Sequence, residues 1–180
     1  GNGGGGIVVR FADDVLIGDQ ATVENGAGVI VADSTNVSVY DLNTSANRGD
    51  GLRITDSRDV EPTFNVTANG NTGDGIEFVN LDGIDPPDRV TPPILSDVVA
   101  NGNGEDGVEL GGLDGEDVDG IDANRNARAG MVVGGDGVRA VRNVTVEFAQ
   151  TERNGIGMLV RNADAVDLRY NTVEAGNASK

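Results

Sequence analysis

Apolar residues recur along this chain in short alternations of period two, each opened by a glycine. The first four are Gly6-Ile7-Val8-Val9, Gly28-Val29-Ile30-Val31, Gly51-Leu52-Arg53-Ile54 and Gly75-Ile76-Glu77-Phe78. Gly107-Val108-Glu109-Leu110, Gly130-Met131-Val132-Val133 and Gly157-Met158-Leu159-Val160 continue the series. Their glycines are spaced by 22, 23, 24, 32, 23 and 27 residues. A second alternation follows in most units, at Val15-x-Ile17, Val37-x-Val39, Phe64-x-Val66, Val144-x-Val146 and Val166-x-Leu168. Period two is the signature of strands, and Gly, Asn and Asp between the runs mark turns. No stretch sustains the 3.6-residue period of a helical solenoid.

A unit of this length cannot bury both of its strands alone. Stacking each strand on its equivalent in the next unit satisfies the backbone and closes the core at a spacing of about 4.8 Å. The inward residues of the triplets then form two apolar columns. One is Ile7, Val29, Leu52, Ile76, Val108, Met131, Met158; the other is Val9, Val31, Ile54, Phe78, Leu110, Val133, Val160. The expected architecture is all-β, a parallel β-helix solenoid of about seven coils, forming one domain over residues 1–180. Two coils are enlarged, with loops expected near 79–97, where Pro86, Pro87, Pro92 and Pro93 cannot donate to a ladder, and near 111–122. The third strand of each coil has no clear signal. A calcium-binding nonapeptide roll needs a nine-residue period, and a leucine-rich repeat needs a leucine scaffold; neither fits.

An asparagine precedes each opening glycine: Asn2, Asn25, Asn47, Asn69, Asn101, Asn124 and Asn154. Asparagine tolerates left-handed turn geometry, and its amide bonds the amides above and below it. With the repeat length, this resembles the asparagine ladders of right-handed, pectate-lyase-like parallel β-helices. The likeness covers nearly the whole chain and implies the fold, with no particular activity.

Charge narrows the partners. Asp and Glu number 30 against 13 Lys and Arg, a net charge of −17, and the one lysine is Lys180. Such a surface repels phosphate, so nucleic acid is not expected as a partner. Self-repulsion at this charge is relieved in concentrated salt. High aspartate with almost no lysine resembles the acidic surface proteins of extreme halophiles, haloarchaea in particular. The chain has no Cys and no His. This removes disulfides, thiolate metal sites and the commonest general base. No apolar run reaches membrane-span length. A first residue other than Met is expected to reflect processing or excision from a longer precursor.

Candidate chemistry is sparse. Asp114, Glu116, Asp117, Asp119 and Asp122 offer hard oxygen ligands for Ca²⁺, although their spacing makes no complete EF-hand loop and a solvated acidic loop is the favoured reading. No other cofactor is implied. Asn36, Asn43, Asn65, Asn143 and Asn177 head Asn-x-Ser/Thr sequons. The outward triplet position is apolar at Val8, Ile30, Val132 and Leu159, a column expected to be covered by a lateral contact. Catalytic residues are not assigned. The polygalacturonase-like signature needs histidine, and sugar-stacking aromatics are scarce at 3% of the chain, with no Trp. The leading expectation is an extracellular or cell-surface structural module, a glycoprotein candidate that stacks head to tail with itself into a filament or layer. A carbohydrate-binding, adhesion or viral spike module with a polysaccharide partner ranks second, and a polysaccharide lyase or glycosidase third.

Overall fold

The computed structural model describes residues 1–60, 62–83, 93–135 and 139–174, the backbone alone at 82–83. It is a parallel β-solenoid of about seven turns, with no helix among the described residues. One sheet holds seven strands: Gly5–Arg10, Ala27–Ala32, Leu52–Thr55, Ile76–Val79, Val108–Gly111, Ala129–Val133 and Ile156–Val160. They pair in parallel and in chain order, and the register runs Ile7↔Val29↔Leu52↔Ile76↔Val108↔Met131↔Met158. Both inward columns are those expected from the pattern. From Val29 to Met131 the first column is wholly buried, so each aliphatic side chain packs between its equivalents one coil above and below.

The second sheet has eleven strands and bends partway along each coil. The bend answers the question of the third strand. In Val39-Tyr40-Asp41-Leu42, Leu95-Ser96-Asp97-Val98 and Val118-Asp119-Gly120-Ile121 the first and last residues are buried and the two between face outward. The third residue of each quartet has positive φ: 48° at Asp41, 52° at Asp97 and 63° at Gly120. A left-handed residue turns the chain and shifts the inward phase by one, so Leu42, Val66, Val98 and Ile121 stack as a third inward column. Phe64-x-Val66 is therefore not a simple alternation. Thr63 and Val66 point inward, and Phe64 lies outside on Tyr40, with ring centroids 5.7 Å apart.

Left-handed residues themselves stack. Asp19, Asp41, Asn65, Asp97, Gly120, Phe148 and Tyr170 form one corner column, and Glu24, Ala46, Gly70, Gly102, Arg125 and Arg153 another. Asn, Asp and Gly tolerate this geometry at little cost, which explains their abundance better than loop flexibility does. Ala46 does not, because its Cβ crowds the backbone. Ala46→Gly is expected to stabilise the fold by about 0.5–1 kcal/mol, the relieved strain exceeding the added chain entropy. Urea unfolding at constant m-value measures it.

Two asparagine ladders run side by side. In the buried one the side chains of Asn25, Asn47, Asn71, Asn103, Asn126 and Asn154 each accept the backbone N–H of the preceding rung at 2.7–3.1 Å, starting from Asn2. Asn69, Asn101 and Asn124 belong to the other ladder. It is half-buried and points the opposite way: Asn69 Oδ1 accepts from Asn101 N at 2.7 Å, and Asn101 Oδ1 from Asn124 N at 2.5 Å. The expected single ladder mixed rungs of both. One left-handed residue, Gly70, Gly102 or Arg125, stands between the two asparagines of a coil, and the strictly buried one is the later.

The expected loops are redistributed. Within 79–97, residues 84–92 lie outside the described residues, while Leu95–Val99 is a strand. Within 111–122, Asp117–Asp122 is a strand paired to both neighbours, so that stretch is mostly wall rather than loop. Backbone N–H groups of Gly134 and Gly135 both reach Leu110 O, at 2.7 and 3.2 Å, which folds the chain back over the first sheet just after Val133.

Candidate functional site

The outward row of the first sheet is Val8, Ile30, Arg53, Glu77, Glu109, Val132 and Leu159 in continuous register. Its four apolar members are not equivalent. Val8 is half exposed, Ile30 and Leu159 are partly covered, and Val132 is buried at 1%. The three charged members in the middle adjoin a second row that the repeat creates.

Asp50, Asp74 and Asp106 each stand immediately before the glycine that opens a triplet, so the coils stack them too. Each carboxylate accepts a backbone N–H from the next coil: Asp50 Oδ1 from Asp74 at 3.0 Å, Asp74 Oδ1 from Asp106 at 2.7 Å, and Asp106 Oδ1 from Ala129 at 2.6 Å. Glu77 and Glu109 reach the same place from the outward row. One oxygen from each of Asp50, Asp74 and Glu77 lies within 4.8 Å of the others, and likewise for Asp74, Asp106 and Glu109. Asp74, Asp106 and Glu109 are all buried. Guanidiniums ring the cluster. Arg53 Nε is 3.0 Å from Glu77, Arg128 bonds Glu105 at 2.8 Å and stands 3.7 Å from Asp106 Oδ2, and Arg161 is 3.9 Å from Glu109.

Burial dominates the electrostatics. It pushes the Asp74 carboxyl up to about 8; the Asp106 N–H opposes this, and the charges of Asp50, Asp106 and Glu109 add to it. Burial likewise raises Glu77 to about 7 against the pull of Arg53. Both groups keep in the folded state protons that the unfolded chain releases near pH 4. Their contribution is therefore complete below about pH 4 and is lost as pH rises through about 7 and then 8. In chelator-treated buffer the melting temperature is expected to fall between pH 5 and 8, and Asp74→Asn to flatten that slope; a thermal melt series checks it.

Asp114, Glu116, Asp117, Asp119 and Asp122, weighed above as Ca²⁺ ligands against the favoured solvated loop, lie elsewhere. Asp114 is exposed and accepts from Asn143 Nδ2 at 3.0 Å, and Asp117, Asp119 and Asp122 are spread along one strand. Among the described residues none of them joins a three-carboxylate group of ligand spacing. The buried stack was legible as Asp-Gly-apolar in three successive units, with an acid three residues on in two of them; the acid-rich loop drew attention because its charges are close in sequence.

Three sequon asparagines, Asn36, Asn65 and Asn143, are left-handed corner residues. Their Nδ2 groups donate to aspartates of the preceding coil, Asp14, Asp41 and Asp114, as Asn80 does to Asp56. Alternating Asn with Asp in a corner column replaces carboxylate repulsion with a hydrogen bond. Asn43 is exposed and accepts from Ser45, and Asn177 lies outside the described residues. The scarce aromatics gather in two exposed stacks, Tyr40 on Phe64 and Phe148 on Tyr170.

The two end coils differ from the interior. At one end Ile7, Val9 and Ala12 are only partly buried and, with Val15, Leu16 and Ile17, line an open groove of about 430 Å³. At the other, Ile156, Val160, Leu168 and Val173 are between 43% and 53% exposed, whereas their interior equivalents are sealed. The class defined by fold and surface is a parallel β-solenoid with a buried acidic stack on one face and partly exposed apolar side chains in its first and last described coils. No protein-family model matches the chain, and no similar curated protein or solved structure was found. Among the described residues no helix is long and apolar enough to cross a membrane.

Proposed function

We propose that the protein is a structural module that extends by laying coil on coil, a second copy joining head to tail to build a filament or surface layer. The observation that carries this reading is the internal joint itself: the first sheet repeats one parallel register through seven strands, and the first and last described coils carry partly exposed apolar side chains. Each interior joint repeats the last by one coil, so the strand Ile156–Val160 of one copy offers the strand Gly5–Arg10 of another the register that every internal pair uses. Such a contact is heterologous and does not close. Parallel strand edges supply the backbone groups in such a joint, and the apolar columns supply the driving force. An extracellular, salt-rich setting fits the net charge of −17, because screening shortens repulsion between stacked copies.

Sedimentation velocity and negative-stain microscopy, from dilute to concentrated protein in low and molar salt, test the proposal. Rods that lengthen with protein and salt concentration are expected, and Val160→Asp is expected to stop growth without unfolding the coil stack. Discrete monomers under every condition would overturn it.

A second reading, recognition of an acidic or neutral polysaccharide, draws on a groove of about 600 Å³ lined by Asp33, Asp56, Asn80, Arg58 and Arg139. Alternating carboxylate, amide and guanidinium groups suit sugar hydroxyls. Glycan-array binding that Arg58→Ala abolishes would favour it over stacking.

A further inference from the structure

We propose that Asp74, Asp106 and Glu109 form a binding site for one hard divalent cation, with calcium the best fit and Asp50 and Glu77 in support. Carboxylates clustered on an acidic surface carry no such meaning by themselves. Here a second observation points to a ligand: Asp106 is 1% exposed, and its Oδ2 has no hydrogen-bond partner. The nearest cation, Arg128, stands off at 3.7 Å because its guanidinium is bonded to Glu105. A buried carboxylate oxygen left in this state costs several kcal/mol of desolvation unless something compensates it.

Among the described residues carboxylates outnumber guanidiniums here: Asp50, Asp74, Asp106, Glu77 and Glu109 converge with Arg53, Arg128 and Arg161, and Glu105 also engages Arg128. Such a surplus of buried carboxylate favours a cation. The backbone N–H bonds to Oδ1 of Asp74 and Asp106 hold those carboxylates in place and leave their second oxygens for a ligand.

Coordination favours calcium. Oxygens within 4.8 Å of one another can surround an ion with metal–oxygen bonds of about 2.3–2.6 Å, and calcium accepts irregular geometry where magnesium demands a near-ideal octahedron at about 2.1 Å. All three ligands are acids with no sulfur or imidazole, as a hard cation requires. A cleft of about 320 Å³ lined by Asp106, Arg128, Val132 and Leu159 reaches the Asp106 side of the cluster.

The inference stands apart from the stacking reading, since a monomer would bind calcium equally well. Its test is calorimetric titration of chelator-treated protein with calcium chloride at pH 7, with thermal melts alongside. One site per chain is expected. So is a rise in melting temperature of about 5–10 °C with calcium at a hundred times its dissociation constant, beyond the effect of sodium chloride at equal ionic strength. Asp106→Asn keeps the acceptor for Ala129 and is expected to weaken binding at least tenfold, as is Glu109→Gln, while Asp117→Asn changes nothing. Absence of binding heat, or equal weakening by Asp117→Asn and Asp106→Asn, would overturn the site; equal affinity for magnesium would overturn the assignment to calcium.

Discussion

Asn71→Leu is expected to destabilise the solenoid by about 2–5 kcal/mol, far more than Asn69→Leu two positions away. The buried side chain of Asn71 accepts the Asn47 N–H at 2.9 Å and the Asn47 Nδ2 at 3.1 Å, and donates to Thr44 O at 3.0 Å. Leucine has the same branching at Cγ but bulkier methyl groups, and it leaves a buried N–H and a buried carbonyl each short of a partner. Each such loss costs about 1–3 kcal/mol. Asn69 is half-buried, and its one bond, to Asn101 N, is replaced by water when lost, so Asn69→Leu is expected to cost about 1 kcal/mol or less. Urea unfolding of the two variants side by side measures the contrast. Equal losses would mean that the ladder geometry described above is wrong.

Phe78→Ala is expected to cost about 3–5 kcal/mol. Among the described residues Phe78 is the only aromatic in the buried core, and its neighbours in the column are Ile54 and Leu110. The coils above and below are held at strand spacing by the parallel ladder, so the walls cannot collapse onto the cavity as a loosely packed region would. The same substitution at Phe64, which lies outside against Tyr40 and is 41% exposed, is expected to cost about 1 kcal/mol. Guanidinium unfolding monitored by far-ultraviolet dichroism checks both. The comparison is informative because the sequence pattern alone places the two phenylalanines alike.

That likeness shows how far the pattern reaches. Gly-apolar-x-apolar recurs with one register, so the first sheet and both of its inward columns could be written down residue by residue. The second sheet could be recognised but not phased. There the inward side changes at a residue of positive φ, and Asp41, Asn65 and Asp97 carry no mark that separates a corner from an ordinary polar position on a strand. Asn69 and Asn71 present the same difficulty, since either satisfies the spacing, and only the direction of the amide decides which is buried.

The acidic stack was half legible. Its Asp-Gly steps repeat in phase, but the run 114–122 holds more acid within a shorter stretch of chain, and proximity in sequence is a poor guide in a solenoid. Residues 24 or 32 positions apart, as Asp50, Asp74 and Asp106 are, lie one coil apart, whereas residues two apart on a strand project along its length.

By itself, the sequence determined the repeat, the parallel stacking and the aliphatic columns, because a period-two apolar pattern of fixed spacing has one economical way to leave water. Tertiary structure alone decided the corner columns, the two opposed asparagine ladders and the convergence of Asp74, Asp106 and Glu109 in a buried cluster. These depend on backbone handedness and on which coil lies over which, and neither is written in the identity of any single residue.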